Sequence, residues 1–170
     1  INVLFQKLGI EIINEIIWYK RNSFPNLRGR RFTASHETLL WGHVGNGKRQ
    51  YTFNYEDVKK MHFPEDLLKK QGKQMRTVWD IPNNKNAEEL KCGTHPTQKP
   101  LRIAERIILA TSKPKDIILA PFCGSGTVAI EAALRGFSVV ASDADPDAVR
   151  DTKKNISWYE KKSKQTLDDE

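Results

Sequence analysis

The sequence predicts an α/β fold: a parallel sheet with helices wound on both faces. Three observations carry that expectation. The apolar run Ile117-Ile118-Leu119 enters a glycine-rich turn, PFCGSGT at 121–127, and a helix-like stretch follows. A second apolar run at 137–142 ends beside an acid, Asp143. The strand–turn–helix–strand order then repeats its last step, because Pro146 opens another helix. A parallel pair needs a crossover connection, most often a helix, so this order gives parallel strands. The unit at 116–156 supplies two of them, and parallel sheets need several strands with cover on both faces. The remaining strands are expected from the N-terminal side.

The elements follow in chain order. Leu4, Phe5 and Leu8 lie at helical spacing, with Gly9 placed to end that helix. Residues 14–20 (NEIIWYK) and 36–43 (HETLLWGH) are rich in strand formers and read as an antiparallel pair. Between them, RNSFPNLRGRRFTAS is a long loop by its Pro, Gly, Asn and Ser content. Residues 45–94 change character: a turn at 45–49, Tyr51, Phe53 and Tyr55 alternating with polar residues, a short helix over 65–70, then loop. They form a small irregular lobe, with those aromatics in its core. From Pro100 the pattern is orderly. Leu101, Ile103, Ala104, Ile107 and Ile108 give an apolar helical face opposite Arg102, Glu105 and Arg106. A strand is expected over 116–120. A helix over 128–135 follows, capped by Ser125 or Thr127 and stopped at Gly136. After the strand at 137–142, Asp145 caps a helix running from Pro146 to about Ile156, and 161–170 is a frayed polar tail. Residues 1–44 and 95–160 thus make one α/β domain, with 45–94 inserted.

Composition narrows the class. A chain of 170 residues buries one core with a small appended lobe. It has no apolar run of about 18 residues, so no membrane span is expected. Glu11 and Glu15 interrupt the opening apolar stretch, which argues against a signal peptide. Cys92 and Cys123 are the only cysteines and suit a reducing, cytoplasmic setting. No C-x-x-C pair accompanies Cys92, His95, Cys123 and His43, so no metal site is expected. The net charge of +7 is uneven: residues 1–100 hold 17 Lys/Arg against 10 Asp/Glu, and residues 101–170 hold 11 of each. A basic half favours phosphate binding by counterion release, and Arg28, Arg30, Arg31, Lys48 and Arg49 are the candidate contacts. A merely solvated basic surface is the alternative.

Gly124-Ser125-Gly126-Thr127-Val128-Ala129 fits the dinucleotide pattern G-x-G-x-x-G/A, and Asp143 is placed to accept ribose hydroxyls. Taken alone, this also suits an NAD-dependent oxidoreductase. The string HPTQKP at 95–100 sharpens the reading. Together the two blocks resemble the amino-group DNA methyltransferases. More narrowly, they resemble the permuted beta group, in which the cofactor-binding half follows the target-recognition region. The resemblance implies a circularly permuted, Rossmann-like methyltransferase fold with 45–94 as recognition lobe. It further implies S-adenosylmethionine as cofactor, double-stranded DNA as partner, and methylation of adenine N6, favoured over cytosine N4, in restriction-modification.

The same resemblance assigns Thr97, Gln98, Lys99, Pro121, Phe122, Cys123, Gly124, Ser125, Gly126 and Asp143 to the cofactor site. Lys99 or Thr97 would hold the cofactor's carboxylate, and Phe122 is either the family's loop aromatic or a core residue. The 95–100 segment also reads as a helix entry, with Pro100 at the first helical position and Thr97 near the cap. Two departures stand out. Ala120 occupies the place of the family's Asp in Asp-Pro-Phe. The family's catalytic Asp/Asn/Ser-Pro-Pro-aromatic tetrapeptide is absent from the 170 residues, so no catalytic residue is assigned. The chain is therefore expected to be the C-terminal portion of an enzyme, inactive alone and completed by an N-terminal part or a homodimer. An inactive DNA-binding or specificity partner is the other reading.

Overall fold

The computed structural model describes residues 1–45, 50–83, 89 and 98–168, with side chains to residue 162. The chain divides into two compact units, Ile1–Asn83 and Asn84–Glu170.

The first unit is built on a long antiparallel pair. Helix α1 (Asn2–Lys7) ends at Gly9, whose φ of +69° suits glycine, and leads into β1 (Ile10–Tyr19). β1 pairs with β2 (His36–Val44) in a register that joins Ile10 to Val44 and Tyr19 to His36, with an irregularity between Ile12 and Asn14. On its other edge β1 pairs in parallel with β3 (Val78–Asp80), giving the order β2-β1-β3. Trp18 and Trp79 sit in register and are buried. Each indole N–H finds a carbonyl, Ile81 O at 2.6 Å and Arg76 O at 2.7 Å, as buried Trp requires. Ile81, Val58 of α2 (Tyr55–Lys60) and Phe63 complete this core. Trp41 of β2 meets Tyr51 edge-on and Phe53 at a tilt, with ring centroids 5.5 and 5.4 Å apart, so these aromatics pack on the sheet, with Tyr51 and Tyr55 each 39% exposed.

The second unit centres on one helix. α3 (Leu101–Thr111), β4 (Ile117–Ala120), α4 (Thr127–Leu134), β5 (Ser138–Ala141) and α5 (Pro146–Asp168) follow in order. β4 and β5 are parallel, with Ile117 opposite Ser138 and Ala120 opposite Ala141. α4 packs against α3, α5 and both strands. Its Ala129 and Ala132 are completely buried, and small side chains let neighbouring elements approach closely. The opposite face of the strand pair is bare: Ile117, Leu119 and Val140 are 68, 66 and 55% exposed.

The differences from the sequence reading have local causes. The helix expected over 65–70 is a single 3-10 turn, Pro64–Asp66, ended by Leu67 in the left-handed region at φ 49°. α2 and β3 are short and lacked a legible period. α5 continues to Asp168, well past Ile156. Neither Ser125 nor Thr127 caps α4; its N-cap is Gly126, with no side-chain cap bond. The N-terminal strands pair among themselves, and β4–β5 forms a separate two-stranded sheet.

α3 and α4 are joined by a charged relay. Arg135 donates to Glu131 and to Glu105 (2.8 Å), and Arg102 donates to Glu105. Glu131 is buried, and desolvation raises its pKa despite the hydrogen bond and charge of Arg135. Between the ordinary glutamate value and the raised one, the folded state holds a proton the unfolded chain has released. Stability therefore falls as pH rises through that window. The stability difference between the parent chain and Glu131→Gln, measured by urea unfolding across pH, is expected to be flat below the ordinary glutamate range and to decline above it. Parallel curves would remove the desolvation cost at Glu131.

Candidate functional site

The glycine loop leaves β4 at buried Ala120 and is held from both ends. Cys123 N–H donates to Ser142 O at 2.9 Å, and Ser142 N–H donates to Ala120 O at 3.0 Å. Asp143, just past β5, fixes the middle. Its Oδ2 accepts the Gly124 N–H at 2.8 Å and its Oδ1 accepts the Asp145 N–H at 3.0 Å. Asp145 in turn accepts the Asp147 N–H at 2.9 Å, which is the expected cap of α5.

The two glycines are required for different reasons. Gly124 has φ +52°, and a Cβ there would meet nothing within 4 Å, so its outer side is open. Gly126 has φ +90°, and a Cβ there would lie 2.8 Å from Thr152 Cγ2 and Oγ1. α5 presses on the loop at that point. Thr152 Oγ1 donates to Gly124 O (3.0 Å), and Asn155 Nδ2 donates to Ser125 O (2.8 Å). Both side chains are 4% exposed. The sequence reading missed them. Their signal was the spacing Ala148, Thr152, Asn155, one buried face of a helix that carries two polar groups.

The HPTQKP block meets this loop through its last residues. Thr127 Oγ1 donates to Lys99 O at 3.0 Å, which ties the block to the start of α4. Gln98 Nε2 donates to Glu89 O at 2.6 Å, and Glu89 Oε2 accepts the Leu101 N–H at 3.1 Å at the start of α3. Pro100 is the N-cap residue of that helix rather than its first helical position. Gln98 Oε1 is buried with no hydrogen-bond partner among the described residues. Thr97, His95, Cys92, Lys48 and Arg49 lie outside the described residues.

The other loop residues sort by exposure. Phe122 is 89% exposed, which rules out the core alternative, and Pro121 is exposed beside it. Cys123 is a half-buried free thiol within 3.5 Å of Thr152 Oγ1, and Ser125 is buried. These features suit a nucleotide-like ligand: an open glycine, first-turn N–H groups of α4 without a side-chain cap, an exposed aromatic and a carboxylate at the adjacent strand end. No group of three or more His, Cys, Asp or Glu that could hold a metal lies among the described residues.

In the first unit, the β1–β2 loop exposes Arg28, Arg30 and Arg31, and none has an ion-pair partner among the described residues. Arg21 differs: its Nε and Nη2 donate to Asp80 at 2.9 and 2.8 Å.

Comparison with known proteins agrees with this geometry. The family model described as DNA methylase, of the N6/N4 type, matches residues 1–154. The type II methyltransferase M2.LlaDCHI of Lactococcus lactis subsp. cremoris is 38% identical over 157 residues, 92% of this chain and 55% of that protein. M2.DpnII of Streptococcus pneumoniae is 37% identical over 156 residues, again 92% and 55%. The chain thus spans about half the length of these relatives. Among solved structures, the M1.HpyAVI–SAM complex superposes with a TM-score of 0.67 at 25% identity, covering 91% of this chain and 66% of that one.

The two glycines should separate on substitution. Gly126→Ala strains φ and drives a Cβ into Thr152, so it should lower the urea-unfolding stability by about 2 kcal/mol or more. Gly124→Ala meets no atom and should cost only about 1 kcal/mol from its φ. Its larger effect should be on ligand affinity at the open side. Equal stability losses would contradict the inward and outward roles assigned here.

Proposed function

The chain belongs to the N6/N4 DNA methylase family, and on that premise we propose that it is the cofactor-binding and DNA-recognising portion of an S-adenosylmethionine-dependent DNA methyltransferase acting on an exocyclic base amine. The observation that carries the proposal is the tie between Asp143 and Gly124, with the HPTQKP block fastened to the same loop through Thr127 and Lys99. When bound, S-adenosylmethionine supplies a sulfonium-activated methyl group. This chain's part is to hold and orient it. Gly124 lets the backbone approach without a Cβ, and Phe122 offers a face to the adenosine part. A carboxylate oxygen accepts more than one hydrogen bond, so Asp143 can take ribose hydroxyls while it holds the loop. Lys99 or Thr97 is assigned to the cofactor's carboxylate, and Gln98 to the cofactor site beside them. Pro121, Cys123, Ser125 and Gly126 shape the cradle.

Residues 45–94 are assigned to target recognition, and Arg28, Arg30, Arg31, Lys48 and Arg49 to DNA phosphates. Adenine N6 is preferred to cytosine N4 on the family resemblance. The permuted order, with this chain as the C-terminal portion, is taken from the family resemblance, in which the recognition region precedes the glycine loop. The catalytic tetrapeptide is absent from the sequence, and an apolar face of β4–β5 is left open at Ile117, Leu119 and Val140. A further segment of the whole enzyme would supply both the tetrapeptide and the cover.

Calorimetric titration with S-adenosylmethionine, S-adenosylhomocysteine and NAD tests the cofactor. Binding of the first two and not of NAD is expected, and binding of NAD alone would replace the methyltransferase reading with an oxidoreductase one. Methyl transfer to DNA by the 170-residue chain should stay at background, and robust transfer would overturn the portion reading.

A further inference from the structure

The β1–β2 loop has a feature that phosphate contacts do not use. Phe24, Leu27 and Phe32 are 82, 86 and 99% exposed on one short segment. With Arg28 and Arg31 they border a shallow concavity of about 420 Å³. Single exposed apolar residues are ordinary, but three together beside arginines mark an interaction surface. The loop's base is firmly held. Lys20 N–H donates to Ser35 O at 2.7 Å, Arg21 grips Asp80, and Asn22 exchanges two hydrogen bonds with the Asn83 backbone at 2.6 and 3.1 Å. The tip turns at Gly29, φ +61°, where Gly29 N–H donates to Asn26 O at 2.9 Å and the Arg28 N–H donates to Asn26 Oδ1 at 3.1 Å. The apolar side chains are thus presented by a fastened loop.

The surrounding charge selects the occupant. From Lys20 to Ser35 there are five cations and no acid. A second copy of this chain would bring the same positive loop against itself, which disfavours self-association. Nucleic acid matches both properties at once: an anionic exterior for the arginines and apolar base faces between them. We propose that Phe24, Leu27 and Phe32 form an apolar wedge that enters the base stack of duplex DNA while Arg28, Arg30 and Arg31 hold the flanking phosphates. This deepens the proposed function and rests on DNA being the substrate. The wedge assists removal of a base from the stack, a step that chemistry on a base amine requires.

The test compares binding of the whole chain to an intact duplex and to the same duplex with a central single-nucleotide gap, where unstacking is already done. The parent chain should bind the gapped duplex about fivefold tighter or more. The variant Phe24→Ala/Leu27→Ala/Phe32→Ala should lose that preference yet keep its affinity for intact duplex within about twofold, and its salt dependence should be unchanged. All three positions are exposed, so the variant should fold, as a thermal melt would verify. Arg28→Ala/Arg31→Ala should do the converse, weakening both duplexes and flattening the salt dependence. Equal affinity of the parent for both duplexes, or a preference that survives the triple substitution, would overturn the wedge and leave DNA as substrate. A parent dimer that the triple substitution dissociates would make the patch a self-interface and overturn it too. Failure to bind either duplex would sink the DNA-substrate reading and the wedge together, whereas the cofactor titration would stand or fall separately.

Discussion

Much of the second unit depends on one carboxylate. Asp143 stands where β5 ends and α5 is about to begin, and its two oxygens accept the Gly124 and Asp145 N–H groups. One bond pulls the glycine loop onto the strand end, and the other turns the chain toward its helix. Hydrogen bonds to a charged group contribute about 1.5–3 kcal/mol each where they are shielded from water, as the half-buried bond to Gly124 is, and less at the exposed Asp145 N–H. With α5 placed, Thr152 and Asn155 reach the loop's carbonyls from behind. The loop is therefore gripped on both sides: its N–H at 124 by β5's acid, its carbonyls at 124 and 125 by α5's polar face. What stays ungripped is the open side of Gly124. The geometry of a binding loop is here fixed by groups that need not touch a ligand.

α4 makes that arrangement possible. It is short, and its buried alanines let α3, α5 and both strands close around it. Burying Glu131 on such a helix carries a desolvation cost, which Arg135 and Arg102 relieve only in part and to which the Glu105 carboxylate adds, while Arg135 links α4 back to α3 through Glu105. Among the described elements of this unit, the helices pack on one face of β4–β5, and Ile117, Leu119 and Val140 are exposed on the other. A parallel pair with apolar residues on both faces suits a sheet with two covering layers, and the second layer would have to come from a segment other than α4.

The sequence made the local features legible. The glycine loop, the strands at either side of it and the Asp145 cap follow from periodicity and turn chemistry within a few residues, but the face of α3 does not: Arg106, expected opposite the apolar side, is completely buried, and Ile107 is exposed. What could not be read were contacts between residues far apart in the chain. Asp143 was legible as an acid at a strand end, but its bond to Gly124, 19 residues away, was not. Thr152 and Asn155 act across 28 and 30 residues; their helical spacing with Ala148 marks a buried face but not the carbonyls they reach. Thr127 looked like a helix cap because it precedes a helix, whereas its hydroxyl is drawn to Lys99 O. Short elements failed for a different reason. β3 has three residues and becomes a strand only because β1 offers it an edge, and α2 has too few turns to show a period.

Two of the exposed apolar surfaces differ in the charge beside them. The strands β4 and β5, residues 117–120 and 138–141, contain no charged side chain, so the strand residues of the face formed by Ile117, Leu119 and Val140 are neutral. Such a face gains most from another apolar layer, at about 25 cal/mol for each Å² removed from water, and has nothing to recognise a polyanion. The β1–β2 loop is the reverse. Its apolar groups border a shallow concavity, beside arginines that have no acidic partner among the described residues. A covering protein layer would have to desolvate those guanidinium groups or supply acids to meet them. Duplex DNA supplies the anions and the apolar interior together. Exposure alone does not distinguish a docking face from a nucleic-acid wedge; the charge beside it does.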